Sequence, residues 1–157
     1  MISSGRELYN IIDKILKPLG YIKEKDTWYL HTVDCICYFT CGKSPYGGGE
    51  YGHAMGCFLK EIYEGKDEFP KYYKDNLRYS LSDMVNKDLV KNVFNLEYSN
   101  FINNERELII TDLLENYAVP FLINVSTKNG IVNSVKKYKG LENRMDLKIK
   151  KALGIVD

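Results

Sequence analysis

The sequence predicts an α+β fold: a small antiparallel sheet of about three to five strands, packed against an N-terminal helix and a C-terminal helical group. Three observations carry that prediction. Near the start, Leu8, Ile11, Ile12, Ile15, Leu16 and Leu19 recur at three-and-four spacing, which places one apolar stripe on a helix. Segments rich in β-branched and aromatic residues follow, T-W-Y-L-H from Thr27 and V-D-C-I-C-Y-F-T-C from Val33, with no helical period. The last third returns to helical spacing.

The first helix spans Ser3 to Leu19, with Ser3 or Ser4 as its cap and Pro18 and Gly20 punctuating its end. Its stripe needs a cover, and the strands Thr27 to His31, Val33 to Cys41 and His53 to Tyr63 supply one. Three strands joined by short connections favour a meander packed on that helix. From Glu64 to Asn100 the aromatics Phe69, Tyr72, Tyr73 and Tyr79 interleave with Lys71, Lys74 and Arg78 without a clean period. A short strand from Arg78 to Leu81 and a weak helix from Ser82 to Phe94 are all that can be read there.

Asn103 or Asn104 caps the next helix, whose first turn carries Glu105 and Glu107 at the positive end of the dipole. Ile110, Leu114, Tyr117 and Phe121 continue its apolar face until Pro120 breaks or kinks it. Ser126 or Thr127 opens a shorter helix through Tyr138, with Val132 and Val135 inward, and a last helix runs from Glu142 to Leu153 before Gly154. The 157 residues contain no repeat or linker, so residues 1–157 read as one domain.

Hydrophobic residues make up 45% and charged residues 27%, ordinary for a folded soluble chain. No apolar run approaches the roughly 18 to 20 residues that cross a bilayer, so no membrane association is expected. The opening M-I-S-S-G-R-E-L lacks the basic-then-apolar pattern of an export signal. These features predict a cytoplasmic protein with reduced cysteines. A net charge of +1 argues against a strongly electrostatic partner. From Lys136 onward, however, seven basic residues face three acidic ones, the pattern of a solvated terminal helix face or of a basic tail.

The stretch C-G-K-S-P-Y-G-G-G-E-Y-G-H, from Cys41 to His53, contains G-K-S and a literal G-x-G-x-x-G. A phosphate loop needs a glycine where Cys37 stands and a helix where Pro45 to Gly49 follow. The dinucleotide motif needs a βαβ unit, and here a strand follows. A hairpin tip at Gly47 to Gly52 explains the glycines, which supply positive backbone angles. Such a mobile tip, bearing Lys43, Ser44, Tyr46, Tyr51 and His53, also suits contact with another molecule.

Cys35, Cys37, Cys41 and Cys57 lack the tight C-x-x-C turns of structural zinc sites. They read as buried thiols acting as small apolar residues, so neither a metal nor another cofactor is expected. His31 and His53 fall at strand ends, where either could act as a general base beside Asp34 or Glu50, while a pairing of Cys57 with a histidine has no local support. No named catalytic signature occurs, and no residue is assigned a catalytic role. Lys71 to Lys74 and Lys136 to Lys139 mix cations with stackable rings. They match no nucleic-acid signature, so that partner class is disfavoured.

Several phrases together resemble a bacterial family known as domain of unknown function 4304. They are Lys17-Pro18-Leu19-Gly20-Tyr21 followed by Trp28-Tyr29, then Gly42-Lys43-Ser44 with the strand Ala54 to Leu59, and later Tyr117 to Leu122. The family pattern has glutamine where Gly42 stands, and the glycine-rich insertion after Ser44 departs from it. The resemblance supports the α+β layout and implies no mechanism. The expected function is therefore a non-enzymatic protein-binding module, immunity- or adaptor-like, that contacts its partner through the hairpin tip. The alternative is a small-molecule binder or unrecognised enzyme using the sheet face near Lys43, Tyr51 and His53, which requires a concave pocket there.

Overall fold

The computed structural model describes residues 4–102 and 104–155, so Ser3 and Asn103, two candidate caps, lie outside the described residues. The N-terminal stripe forms α1 (Gly5–Leu16), with Leu8, Ile11, Ile12 and Leu16 buried. Ser4 caps it, its hydroxyl accepting the Glu7 N–H at 3.3 Å. A 3₁₀ turn over Lys17–Leu19 then tightens the chain, and Gly20 ends it at φ 97°. That change of pitch rotates Leu19 off the stripe, leaving it 48% exposed.

Five strands follow: β1 (Ile22–Glu24), β2 (Thr27–His31), β3 (Cys35–Lys43), β4 (Tyr51–Leu59) and β5 (Leu77–Tyr79). They pair antiparallel in sequence order. β1 was not anticipated; three residues are too few to show alternation. β3 starts two residues later than expected because Thr32 makes a turn there, its hydroxyl accepting the Cys35 N–H at 3.0 Å. β4 is displaced from the expected His53 to Tyr63. It starts at Tyr51 and stops before a 3₁₀ turn at Lys60–Ile62. Lys43 pairs with Tyr51, so the connecting loop is 44–50, where Gly47 and Gly48 take φ 82° and 69°, a region glycine enters without steric cost.

Both faces of the sheet are covered. One carries Trp28, Cys37, Phe39, Cys41, Met55 and Cys57 into the main core shared with α1 and the C-terminal helices. The Trp28 indole N–H donates to Asp13 at 2.7 Å. The other face carries Tyr29, Ile36, Tyr38 and Phe58, with Tyr63, Phe69 and Tyr72 packed over them. The segment 60–76 therefore straps across this face. Tyr29 donates to the Pro70 carbonyl at 2.7 Å, and a His31 ring nitrogen meets the Glu68 carbonyl at 2.6 Å. Tyr38 donates to Asp75, which also accepts from Arg78 at 3.1 and 3.2 Å. Burial raises the Asp75 pKa against the pull of Arg78.

After β5, the expected helix from Ser82 is instead a 3₁₀ turn at Leu81–Asp83, closed by reciprocal Ser80 and Asp83 bonds. Then comes α2 (Lys87–Val93), capped by Asn86 through the Leu89 N–H at 3.0 Å. α3 (Glu105–Leu113) begins at Asn104, whose side chain makes no capping bond. Pro120 neither breaks nor ends the run. The chain widens to one π turn over Leu114–Ala118 and resumes as α4 (Val119–Asn124). The wider turn accommodates a ring that would otherwise meet the preceding carbonyl.

α5 (Lys128–Lys137) is capped by Thr127, and its inward residues are Ile131 and Ser134. Val132, expected inward, is 40% exposed, while Val135 is only partly buried. The expected last helix divides into a 3₁₀ turn (Leu141–Arg144) and α6 (Leu147–Leu153), which Asp146 caps and Gly154 ends.

All four cysteines are free and buried. Burial raises the thiol pKa of Cys37 and Cys41, and a hydrogen bond with Cys35 together with burial raises that of Cys57. The thiolate is the reactive form. We therefore expect the native protein to resist a disulfide-exchange reagent and all four thiols to label stoichiometrically in denaturant. Fast labelling of any of the four without denaturant would contradict this packing.

Candidate functional site

The edge of β4 is only partly covered. β5 pairs with Met55, Gly56 and Cys57 alone. Further back, the chain after α2 pairs with the start of β4: Tyr51 N–H donates to the Phe94 carbonyl at 3.0 Å, and Leu96 N–H to Gly49 at 2.8 Å. Gly52, His53 and Ala54 lie between these two patches. The result is a notch in the sheet edge, opening into a cleft of about 640 Å³.

α2 forms one wall. Lys87, Val90, Lys91 and Phe94 all line the cleft, as their spacing of three, four and seven residues on one helix face dictates. Ser80 and Ser82, from the turn after β5, form another wall, and Lys43 and Ser44 from the end of β3 close a third. Five charged side chains line the cleft: Lys43, Lys87 and Lys91 against Asp26 and Glu50. None of them forms an ion pair with a described residue.

His53 lies inside β4, not at a strand end as the sequence suggested. Its ring stacks at 20° on Phe94, centroids 5.0 Å apart, and at 24° on Phe39, 6.3 Å away. The Leu81 backbone N–H donates to Nε2 at 2.9 Å. A nitrogen accepting that bond carries no proton, so the neutral ring bears its hydrogen on Nδ1. Burial pulls the pKa down to about 4, overriding the opposing pull of Asp83. With Nε2 occupied, the ring is placed to donate from Nδ1 and not to take up a proton at Nε2.

Four of the five residues singled out in the sequence, Lys43, Ser44, Tyr51 and His53, line this one cleft. Tyr46 does not; it stands at the loop tip, 96% exposed. Tyr51 leans back on α1, edge-on to Tyr9 at 6.0 Å. Its hydroxyl lies so near Gly5 that a Cβ there would come within 2.1 Å. Neither histidine–carboxylate pairing forms. His31 bonds the Glu68 carbonyl, while Asp34 accepts the Lys128 N–H at 2.8 Å. Sequence reading missed Asp26, Ser80, Ser82 and the α2 residues. Of these, only the α2 set leaves a trace, the spacing of Lys87, Val90, Lys91 and Phe94.

The family model for domain of unknown function DUF4304 matches residues 12–124. The chain belongs to the DUF4304 family. That span contains all five strands, α2 and every residue lining the notch, whereas α5 and α6 follow it. No curated protein and no solved structure matches the chain. Among the described residues, no three His, Cys, Asp or Glu side chains are grouped to hold a metal ion. No helix among them is long and apolar enough to cross a membrane.

Proposed function

We propose that this DUF4304 chain binds a small anionic molecule in the notch beside Gly52, His53 and Ala54. One observation carries the reading. Lys43 from β3 and Lys87 and Lys91 from α2, separated by more than forty residues of chain, line the same cleft with no ion-pair partner of their own. At about 640 Å³, the cleft falls within the roughly 300–1,000 Å³ of small-molecule sites. The hydroxyls of Ser44 and Ser82 and the Nδ1–H of His53 supply neutral donors beside the lysines, and Phe94 an aromatic wall. Four reduced thiols suit the bacterial cytoplasm as the place of action.

The probes for this reading are inorganic pyrophosphate and citrate, titrated at constant ionic strength with amide shifts recorded by NMR. Saturable shifts are expected at Gly52 to Ala54 and along α2. The double variant Lys87→Gln/Lys91→Gln should weaken binding about tenfold or more, because each charge-assisted bond is worth about 1.5–3 kcal/mol. Shifts confined to Lys148, Lys150 and Lys151, or an unchanged affinity in the variant, would defeat the proposal.

Tyr46 supports a second reading, a protein partner gripped by the loop tip, since a tyrosine 96% exposed on a glycine-flanked turn is available as an anchor. Tyr46→Ser should then abolish co-purification of a stoichiometric partner. Retention of that partner would exclude the tip as its site.

A further inference from the structure

A second cleft, of about 560 Å³, lies between the β1–β2 turn and the strap that crosses the far face of the sheet. Its lining chemistry is opposite to that of the notch. Glu24, Asp26, Asp67 and Glu68 contribute four carboxylates, opposed only by Lys25 and Lys71. None of the four carboxylates forms an ion pair with a described residue. The remaining wall is largely aromatic, from Tyr29, Phe69, Tyr72 and Tyr73.

These rings are held in a set orientation. Tyr29 and Phe69 sit 5.3 Å apart, and the Tyr29 hydroxyl is committed to the Pro70 carbonyl. Tyr72 and Tyr73 meet edge-on at 5.9 Å and 78°. Tyr72 already takes one cation over its ring, the Arg78 guanidinium at 5.3 Å, whose charge Asp75 answers. Tyr73 is 56% exposed, and among the described residues its ring meets that of Tyr72.

We infer that this cleft binds a small organic cation, an alkylated ammonium group held against Tyr72 and Tyr73 with Glu68 and its neighbouring carboxylates around it. Aromatic faces attract such cations through their quadrupole, most strongly where the cation is weakly hydrated. Among the described residues no three of these carboxylates are grouped to hold a metal ion, and carboxylates alone would serve a primary amine equally well. Four rings beside four carboxylates favour a cation whose surface is mostly methyl or methylene. The cleft lies within the DUF4304 span and touches the notch at Asp26 and Tyr72, which line both. The inference does not rest on anion binding at the notch.

The test uses choline, tetramethylammonium and the neutral choline isostere 3,3-dimethylbutan-1-ol, titrated into the full chain at constant ionic strength with NMR detection of amide and tyrosine ring shifts. Choline and tetramethylammonium should saturate with shifts at 67–73, and the neutral isostere should bind at least tenfold more weakly. Tyr73→Leu and Glu68→Gln, both outside the notch, should each weaken choline severalfold while leaving pyrophosphate shifts at Gly52 to Ala54 unchanged. Equal affinity for the neutral isostere would overturn the inference. So would shifts away from the strap, or choline binding that survives both substitutions. Absence of choline binding by the unaltered chain, with pyrophosphate shifts at Gly52 to Ala54 intact, would overturn this inference and leave the reading of the notch standing.

Discussion

Arg106→Met is expected to destabilise the protein by at least about 4 kcal/mol, since three bonds from a charged donor are lost together at about 1.5–3 kcal/mol each. Arg106 sits in the first turn of α3 and is only 5% exposed. Its partners are all backbone carbonyls. Nη1 donates to Val93 at 3.2 Å and Asn95 at 2.6 Å, and Nη2 to Tyr98. Its guanidinium lies 5.1 Å from the Phe101 ring centroid. No carboxylate among the described residues pairs with it, so the charge is solvated by peptide dipoles, and burial lowers its pKa.

The effect should reach the notch. The carbonyls gathered by Arg106 belong to the last residue of α2 and to the chain that follows it, which pairs with the glycine-rich stretch through Phe94 and Leu96. Losing the clasp should speed hydrogen exchange at Tyr51 and Leu96, whose amides make those bonds, before it affects the centre of β3. Urea unfolding of Arg106→Met and Arg106→Lys checks the energy. Lysine keeps the charge but lacks the planar fork, so it should recover only part of the loss. A change below about 1 kcal/mol for methionine, against the roughly 4 or more expected of three such bonds, would show that the clasp is dispensable.

This clasp illustrates what sequence could not reveal. The stripe of α1 and the aromatic strands were legible because burial on one face imposes a period. The stretch before β5 shows no period, and single bonds from sheet side chains to its backbone tie it down at Pro70 and Glu68. A residue whose backbone carbonyl is the anchor leaves no mark on side-chain choice. The same reason hid half of the site. Lys43, Ser44, Tyr51 and His53 adjoin one hairpin and could be grouped by proximity, whereas Lys87 and Lys91 arrive from a distant helix, α2, whose Val93 carbonyl Arg106 holds. In α5 the error was one of phase. Val132 and Val135 are the more hydrophobic-looking pair, yet Ile131 and Ser134 are buried, with the Ser134 hydroxyl donating back to Gly130 at 2.6 Å.

Acidification through the range set by His53 is the second large effect expected. Its folded pKa lies near 4, against 6.5 for the free side chain. Between those values the unfolded chain binds a proton that the folded ring refuses. Stability is therefore full above about pH 6.5, falls as pH drops towards 4, and levels off below the folded value. The loss attributable to this ring is on the order of 3 kcal/mol, at about 1.4 kcal/mol per pKa unit. The cause is specific. A proton on Nε2 would face the Leu81 N–H, donor against donor, inside a stack of Phe39 and Phe94. Asp83 favours the cation but does not offset that burial. Asp75, whose raised pKa acts in the opposite sense, is present in both the parent and the His53 variant and so cancels when their pH profiles are compared. His53→Phe keeps the stack and removes the titration. It should cost a constant amount at pH 7.5, from the orphaned Leu81 N–H, and unfold with a much flatter pH dependence between 7 and 4.5. Parallel pH profiles for the two proteins would mean that the ring titrates alike in the folded and unfolded chain, and that Nε2 does not hold the Leu81 N–H.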